Sequence, residues 1–209
     1  MARSAATAVL VALVAALVWG CSSPTDHEIP PDLPYPLRSS PDSLMAQFVW
    51  AYENMHLGAY LDCLADSMVF YLSEEDVQGN PDLEPGYWRK AVEETIHSRM
   101  FGGLAWSADS TRLTLTTIDI DTVSVPDDRG RRGTGWKYTE AVFLRLYVGE
   151  VQYWATQPNV FVIRQDPDDT GPGGETLYEI WEWRELDDWK CGGRQAEMRS
   201  WGALKVLYR

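Results

Sequence analysis

Apolar residues recur at helical spacing between Ser40 and Met100, and at every second position from Ser110 onward. The two periods do not interleave; the short apolar run Met68–Leu72 alone reads as a strand among the helices. Helices gathered ahead of strands point to an α+β domain with an antiparallel sheet. They exclude the alternating pattern of a parallel, doubly wound fold. In the first half, Ser40 is placed to cap a helix that Pro41 opens, with Asp42 at its positive end. Leu44, Phe48, Tyr52 and Met55, flanked by Met45 and Val49, form its apolar stripe. Gly58 reads as a break. Ala59–Ala65 then repeats the pattern through Tyr60, Leu61 and Leu64, and Asp66 and Ser67 end it. A third helix is predicted over Tyr87–Met100, with Trp88, Val92, Ile96 and Met100 near one face and Phe101-Gly102-Gly103 as its stop. Strands follow over 112–125, 136–148, 152–165 (interrupted at Pro158) and 176–186. The runs Asp127–Gly135 and Asp166–Gly174 read as the turns between them.

Residues 1–20 read as an export signal. Arg3 supplies the positive end, and an apolar stretch runs from Ala5 to Trp19. The run Leu17-Val18-Trp19-Gly20-Cys21 looks like a lipobox, which would make Cys21 the lipidated first residue of the mature chain. Residues 21–39 follow as a tether with five prolines, and 40–209 as one domain. Ser22 after the cysteine points to the outer membrane in the lipoprotein sorting systems this resembles. The expected location is therefore the bacterial cell envelope, with the N-terminal lipid as the contact to the membrane. Removal of Arg3 with the signal takes the formal charge from −13 to −14. A chain that acidic does not bind nucleic acid by a basic face.

The run NMHLGAYLDCLADSMVFYL, beginning at Asn54, resembles the opening of the NTF2-like (SnoaL-like, cystatin-like) superfamily. GYWRKAVEETIHSRMFGG is similar to that fold's third helix, and SWGALKVLYR to the C-terminal end of bacterial lipoproteins of this type. The resemblance implies a cone in which N-terminal helices pack on a curved antiparallel sheet. It also implies a possible homodimer through the sheet. In enzymes of this fold it places an acid–base group near the mouth of the cone.

The candidate chemistry is sparse. No serine-nucleophile, phosphate-loop, metalloprotease or dinucleotide motif occurs, so no catalytic residue, metal ligand or cofactor site is assigned. His56 is the candidate acid–base group if the protein is an enzyme. His97, beside the apolar Ile96, is read as facing solvent. Asp62 and Asp66 are read as capping and turn residues. Asp119 and Asp121 share one face of a strand that looks solvent-exposed, and the DPDDTGPGG turn lacks the spacing of a calcium loop. Cys63 and Cys191 would share an oxidising compartment, either bridged or, as the favoured reading, as two buried thiols. The supply of aromatics is the more suggestive feature: ten Trp and ten Tyr. Trp50, Tyr52, Phe70, Trp88, Trp181 and Trp183 are candidates to line the open end of the cone. The leading reading is non-catalytic binding of a small apolar ligand or a partner protein. An isomerase, dehydratase or hydrolase of the SnoaL-like kind and a structural dimer are the alternatives.

Overall fold

The structure is a computed structural model, and it describes residues 35–79, 83, 85–102, 107–126, 131–186, 198–199, 205 and 208–209. The signal segment, Cys21, most of the tether and Cys191 lie outside the described residues. Two helices open the domain, α1 (Pro41–Glu53) and α2 (Leu57–Asp62). They lead into β1 (Leu64–Tyr71), a short α3 (Glu74–Gly79), β2 (Tyr87–Arg89) and α4 (Lys90–Phe101). The long strands follow: β3 (Ser110–Pro126), β4 (Arg132–Val148), β5 (Val151–Thr170) and β6 (Thr176–Glu185), then a short β7 (Met198–Arg199). The sheet order is β2-β1-β6-β5-β4-β3, with β7 laid parallel against β5.

Helix α1 begins where the sequence places it. The Ser40 hydroxyl accepts from the Ser43 amide at 3.1 Å, and Ser43 Oγ accepts from the Ser40 amide at 2.8 Å. This reciprocal cap satisfies two donors that the first turn leaves open. Leu44, Phe48, Ala51 and Tyr52 are fully buried on one face. The helix ends at Asn54, and Met55 takes a left-handed φ of 48°. The break is therefore one turn earlier than Gly58, which lies inside α2. His56 caps α2 through Nδ1, which accepts from the Ala59 amide at 3.0 Å.

Three boundaries differ from the sequence reading, each for a tertiary reason. Leu64 to Ser67 belong to β1, because the Cys63 carbonyl takes the Ile180 amide at 2.7 Å and draws the chain alongside β6. That pairing is parallel, so the sheet is mixed rather than purely antiparallel. Tyr87 to Arg89 form a strand because Trp88 pairs with Phe70 of β1, their rings stacked at 4.7 Å. Strand β5 runs through Pro158 without interruption and on to Thr170. In an antiparallel strand N–H and C=O of one residue point the same way, and the Pro158 carbonyl accepts from Leu186. The donor that proline lacks therefore faces the last rung of β6, where little is lost. A bulge in β3 lies between Thr117 and Asp119, and Asp119 and Asp121 are exposed beyond it, where Asp121 pairs with Lys137 at 2.7 Å.

The segment expected to be tether also contributes. Arg38 is buried and its guanidinium bonds Asp166 at 2.8 Å and Asp169 at 3.0 Å.

Candidate functional site

The concave side of the sheet, under α1, α2 and α4, holds a charged cluster in a fully buried position. Helix α4 presents Glu93, Ile96, His97 and Met100 to the core, the i, i+3, i+4, i+7 set. Glu93 and His97 are each 0% exposed. The Glu93 carboxylate accepts from Trp88 Nε1 at 2.5 Å, Tyr60 Oη at 2.6 Å and Lys205 Nζ at 2.6 Å, and His97 Nδ1 lies 3.2 Å from it. The Lys205 ammonium also sits 3.8 Å from the ring centres of both Phe70 and Trp183, over their negative faces. Burial alone would raise the Glu93 carboxyl. The Lys205 ammonium and the His97 bond outweigh it and hold the group well below the usual carboxylate range.

His97 is neutral in this setting, because burial pushes its imidazole below the ordinary value against the pull of Glu93. Its Nδ1 lies 2.9 Å from the Glu93 carbonyl, which can only accept, so Nδ1 carries the proton. Its Nε2 lies 2.5 Å from Tyr52 Oη and takes that hydroxyl's proton as a hydrogen bond. The ring stacks on Tyr60 at 3.8 Å. His97 thus corrects the reading of a solvent-facing histidine. The apolar stripe read from the sequence shares Ile96 and Met100 with the buried face, which extends to Glu93 and His97 rather than to Val92.

Tyr52, Phe70, Trp88 and Trp183, four of the proposed lining residues, meet here as packed rings. Phe70 meets Trp183 edge-on at 4.9 Å, and Trp183 donates from Nε1 to Asn159 at 2.7 Å. Tyr52, Phe70 and Trp183 are 0% exposed and Trp88 5%. Trp181 is half-buried against the same core. His56, the candidate acid–base group, is not part of the cluster; it sits at the start of α2 beside Trp50 and Tyr35. Cys63 is a free, buried thiol whose Sγ donates to the Ala59 carbonyl at 3.2 Å.

The groove lies elsewhere. Between one side of α1 and strands β3 and β4 is an open hollow of about 460 Å³. Met45, Ala46, Val49, Trp50 and Leu115 form its apolar wall, and Trp50 is the one proposed lining residue that borders it. Its polar end is Asp42, Thr117, Tyr138 and Glu140. The Tyr138 hydroxyl donates to Asp42 at 2.7 Å, and Thr117 Oγ1 donates to Glu140 Oε1 at 2.8 Å. Glu140 is 2% exposed and its Oε2 has no hydrogen-bond partner among the described residues. Burial raises its carboxyl, partly offset by the Thr117 bond and reinforced by Asp42.

A third feature is a charged hollow of about 240 Å³ around Arg38, Asp62, Asp66, Lys90, Arg164 and Glu179. Its charges are matched by ion pairs such as Lys90–Asp66 and Arg164–Glu179, and Asp62 accepts from Tyr35. Among the described residues no group of His, Cys, Asp and Glu is arranged to hold a metal ion.

A scan against protein-family models and a search of curated proteins give no match. Solved structures give distant similarities. An NTF2-like protein from Rhodospirillum rubrum aligns over 68% of this chain and 93% of its own, at 14% identity and a TM-score of 0.40. The β subunit of the benzoate 1,2-dioxygenase from Burkholderia mallei aligns over 69% and 86%, at 14% identity and 0.46. A domain with a cystatin-like fold from Nostoc punctiforme aligns over 71% and 75%, at 10% identity and 0.45. These likenesses are too distant to speak about ligand or activity. The molecule's own layout is two opening helices, a short β1–β2 pair with α3 between its strands, α4, then four long strands. The chain has an NTF2-like, α+β fold.

Proposed function

We propose that this is a lipid-anchored protein of the bacterial cell envelope, of the outer membrane where there are two, whose NTF2-like domain binds a small, largely apolar ligand without transforming it. The site is the groove between α1 and the β3–β4 strands. One contrast carries the reading. The acid–base groups of the interior are fully buried and bonded to one another, whereas the hollow of about 460 Å³ is open and walled by Met45, Val49, Trp50 and Leu115. General acid–base catalysis needs its group within reach of a substrate proton. Glu93 and His97 offer no such approach among the described residues. A concave apolar wall with a few placed polar groups is the usual form of a small-molecule site.

Native mass spectrometry of the full protein, released gently from its own envelope, tests this. A retained non-covalent mass that disappears in Ala46→Trp is the expected result. A bare protein in both chains overturns it. In the same spectrum Cys21→Ala should remove the lipid mass, and fractionation should show that variant lost from the membrane; an unchanged mass ends the anchoring proposal.

Self-association through the sheet is a second reading, favoured by Ile118 and Ile120, nearly half exposed on the edge strand β3. Sedimentation that finds a monomer across the accessible concentrations removes it.

A further inference from the structure

The groove's charge is one-sided. Three of its lining residues are acidic, Asp42, Glu53 and Glu140, and none is Lys, Arg or His. The innermost of the three is also the least satisfied. Thr117 occupies Glu140 Oε1, while Oε2 is buried without a donor among the described residues. A buried acceptor left open carries a penalty that a ligand donor can relieve. Asp42 stands at the same end, with Tyr138 holding one of its oxygens.

We propose that the groove takes an organic ammonium: a ligand with an apolar or aromatic body lying along Met45, Val49, Trp50 and Leu115, and one cationic head received by the Glu140 carboxyl. This rests on the binding reading above and names its chemical class. A carboxylate or phosphate head would meet three acids with no counter-charge. A neutral hydroxyl can donate one bond to Oε2 and leaves the acidic end unbalanced. An ammonium supplies both the missing donor and the opposite charge, in a charge-assisted bond stronger than a neutral one. The excess of acid over the whole chain, −13 in formal charge, favours approach of a cation at long range.

The test compares benzylammonium, benzyl alcohol and benzoate, which share a ring and differ in head. Each is titrated into the full-length protein and followed by saturation-transfer NMR and calorimetry, with Ala46→Trp as the blocked control. Benzylammonium should bind about tenfold more tightly than the alcohol, and benzoate most weakly. Glu140→Gln should remove that preference, bringing benzylammonium down to the level of the alcohol on the same variant. Should Glu140→Gln not fold, the ranking on the unmutated chain decides alone. Equal binding of alcohol and ammonium overturns the charge inference and leaves the apolar groove standing. Binding of all three that persists unchanged in Ala46→Trp, or no binding of any, overturns both.

Discussion

The Lys205 ammonium lies 2.6 Å from Glu93 Oε1, with the two side chains 1% and 0% exposed. These residues are 112 positions apart, so the pair fastens the end of the chain to the core face of α4. A buried pair contributes little net stability over a well-packed apolar substitute, but removing one partner strands the other charge. Lys205→Met should lower unfolding free energy by about 3 to 5 kcal/mol in urea denaturation of the full chain. Glu93→Gln combined with Lys205→Met should lose clearly less than Lys205→Met alone. Equal losses would mean that Lys205 acts by filling space against Phe70 and Trp183 rather than by neutralising Glu93.

The His97–Tyr52 bond makes a prediction about protons. His97 has its pKa lowered by burial, so the folded state binds its proton less readily than the unfolded chain. Its contribution is present above the unfolded value of about 6.5 and is lost as pH falls below it. Nitrogen-15 NMR should show a neutral ring with the proton on Nδ1 at pH 7. Tyr52→Phe leaves Nε2 an unpaired buried acceptor and should cost about 1 to 3 kcal/mol. An imidazolium spectrum at neutral pH would refute this assignment.

Glu179 should show the opposite sign. Burial, reinforced by Asp166, pushes its carboxyl up to about 7 against the Arg164 guanidinium 2.7 Å away and the nearby Arg38. A raised carboxyl binds more protons folded than unfolded, so its share of stability is present below the unfolded value and is lost as pH rises toward 7. The difference in melting temperature between the native chain and Glu179→Gln should therefore shift against the native chain between pH 4.5 and 7.5. A difference that grows in its favour over that range would show that the Arg164 pairing dominates.

What the sequence disclosed follows from the range of the forces involved. The α1 cap and stripe and the β3–β4 alternation are local patterns, and they appear within a few residues of their expected bounds. The site depends on distant pairings. The positions 93, 96, 97 and 100 do form a helical set, but two of its members are Glu and His, which an apolar periodicity discards. Lys205 looks like a surface lysine until the sheet places it over Phe70 and Trp183. Glu140 sits on the inward face of β4 with Val142 and Leu144. A carboxyl in that register, between apolar neighbours, was the signal available for the groove. Arg38, in the segment read as tether, is another such case, since it meets its acidic partners about 130 residues away.

Cys63 provides the last prediction, and it bears on the disulfide question. The residue caps the end of α2, is 0% exposed, and has its thiol bonded to the Ala59 carbonyl. Burial pushes the thiol far above its ordinary value, so the nucleophilic thiolate is scarcely formed. Folded protein should leave Cys63 unlabelled by a maleimide over hours, although reductant is absent. Unfolding in urea, again without reductant, should expose it to stoichiometric labelling, mapped by peptide mass. A Cys63 that labels only after reduction would show a bridge, with Cys191 the available partner. It would also require the chain beyond β6 to approach the end of α2, where β1 first joins β6.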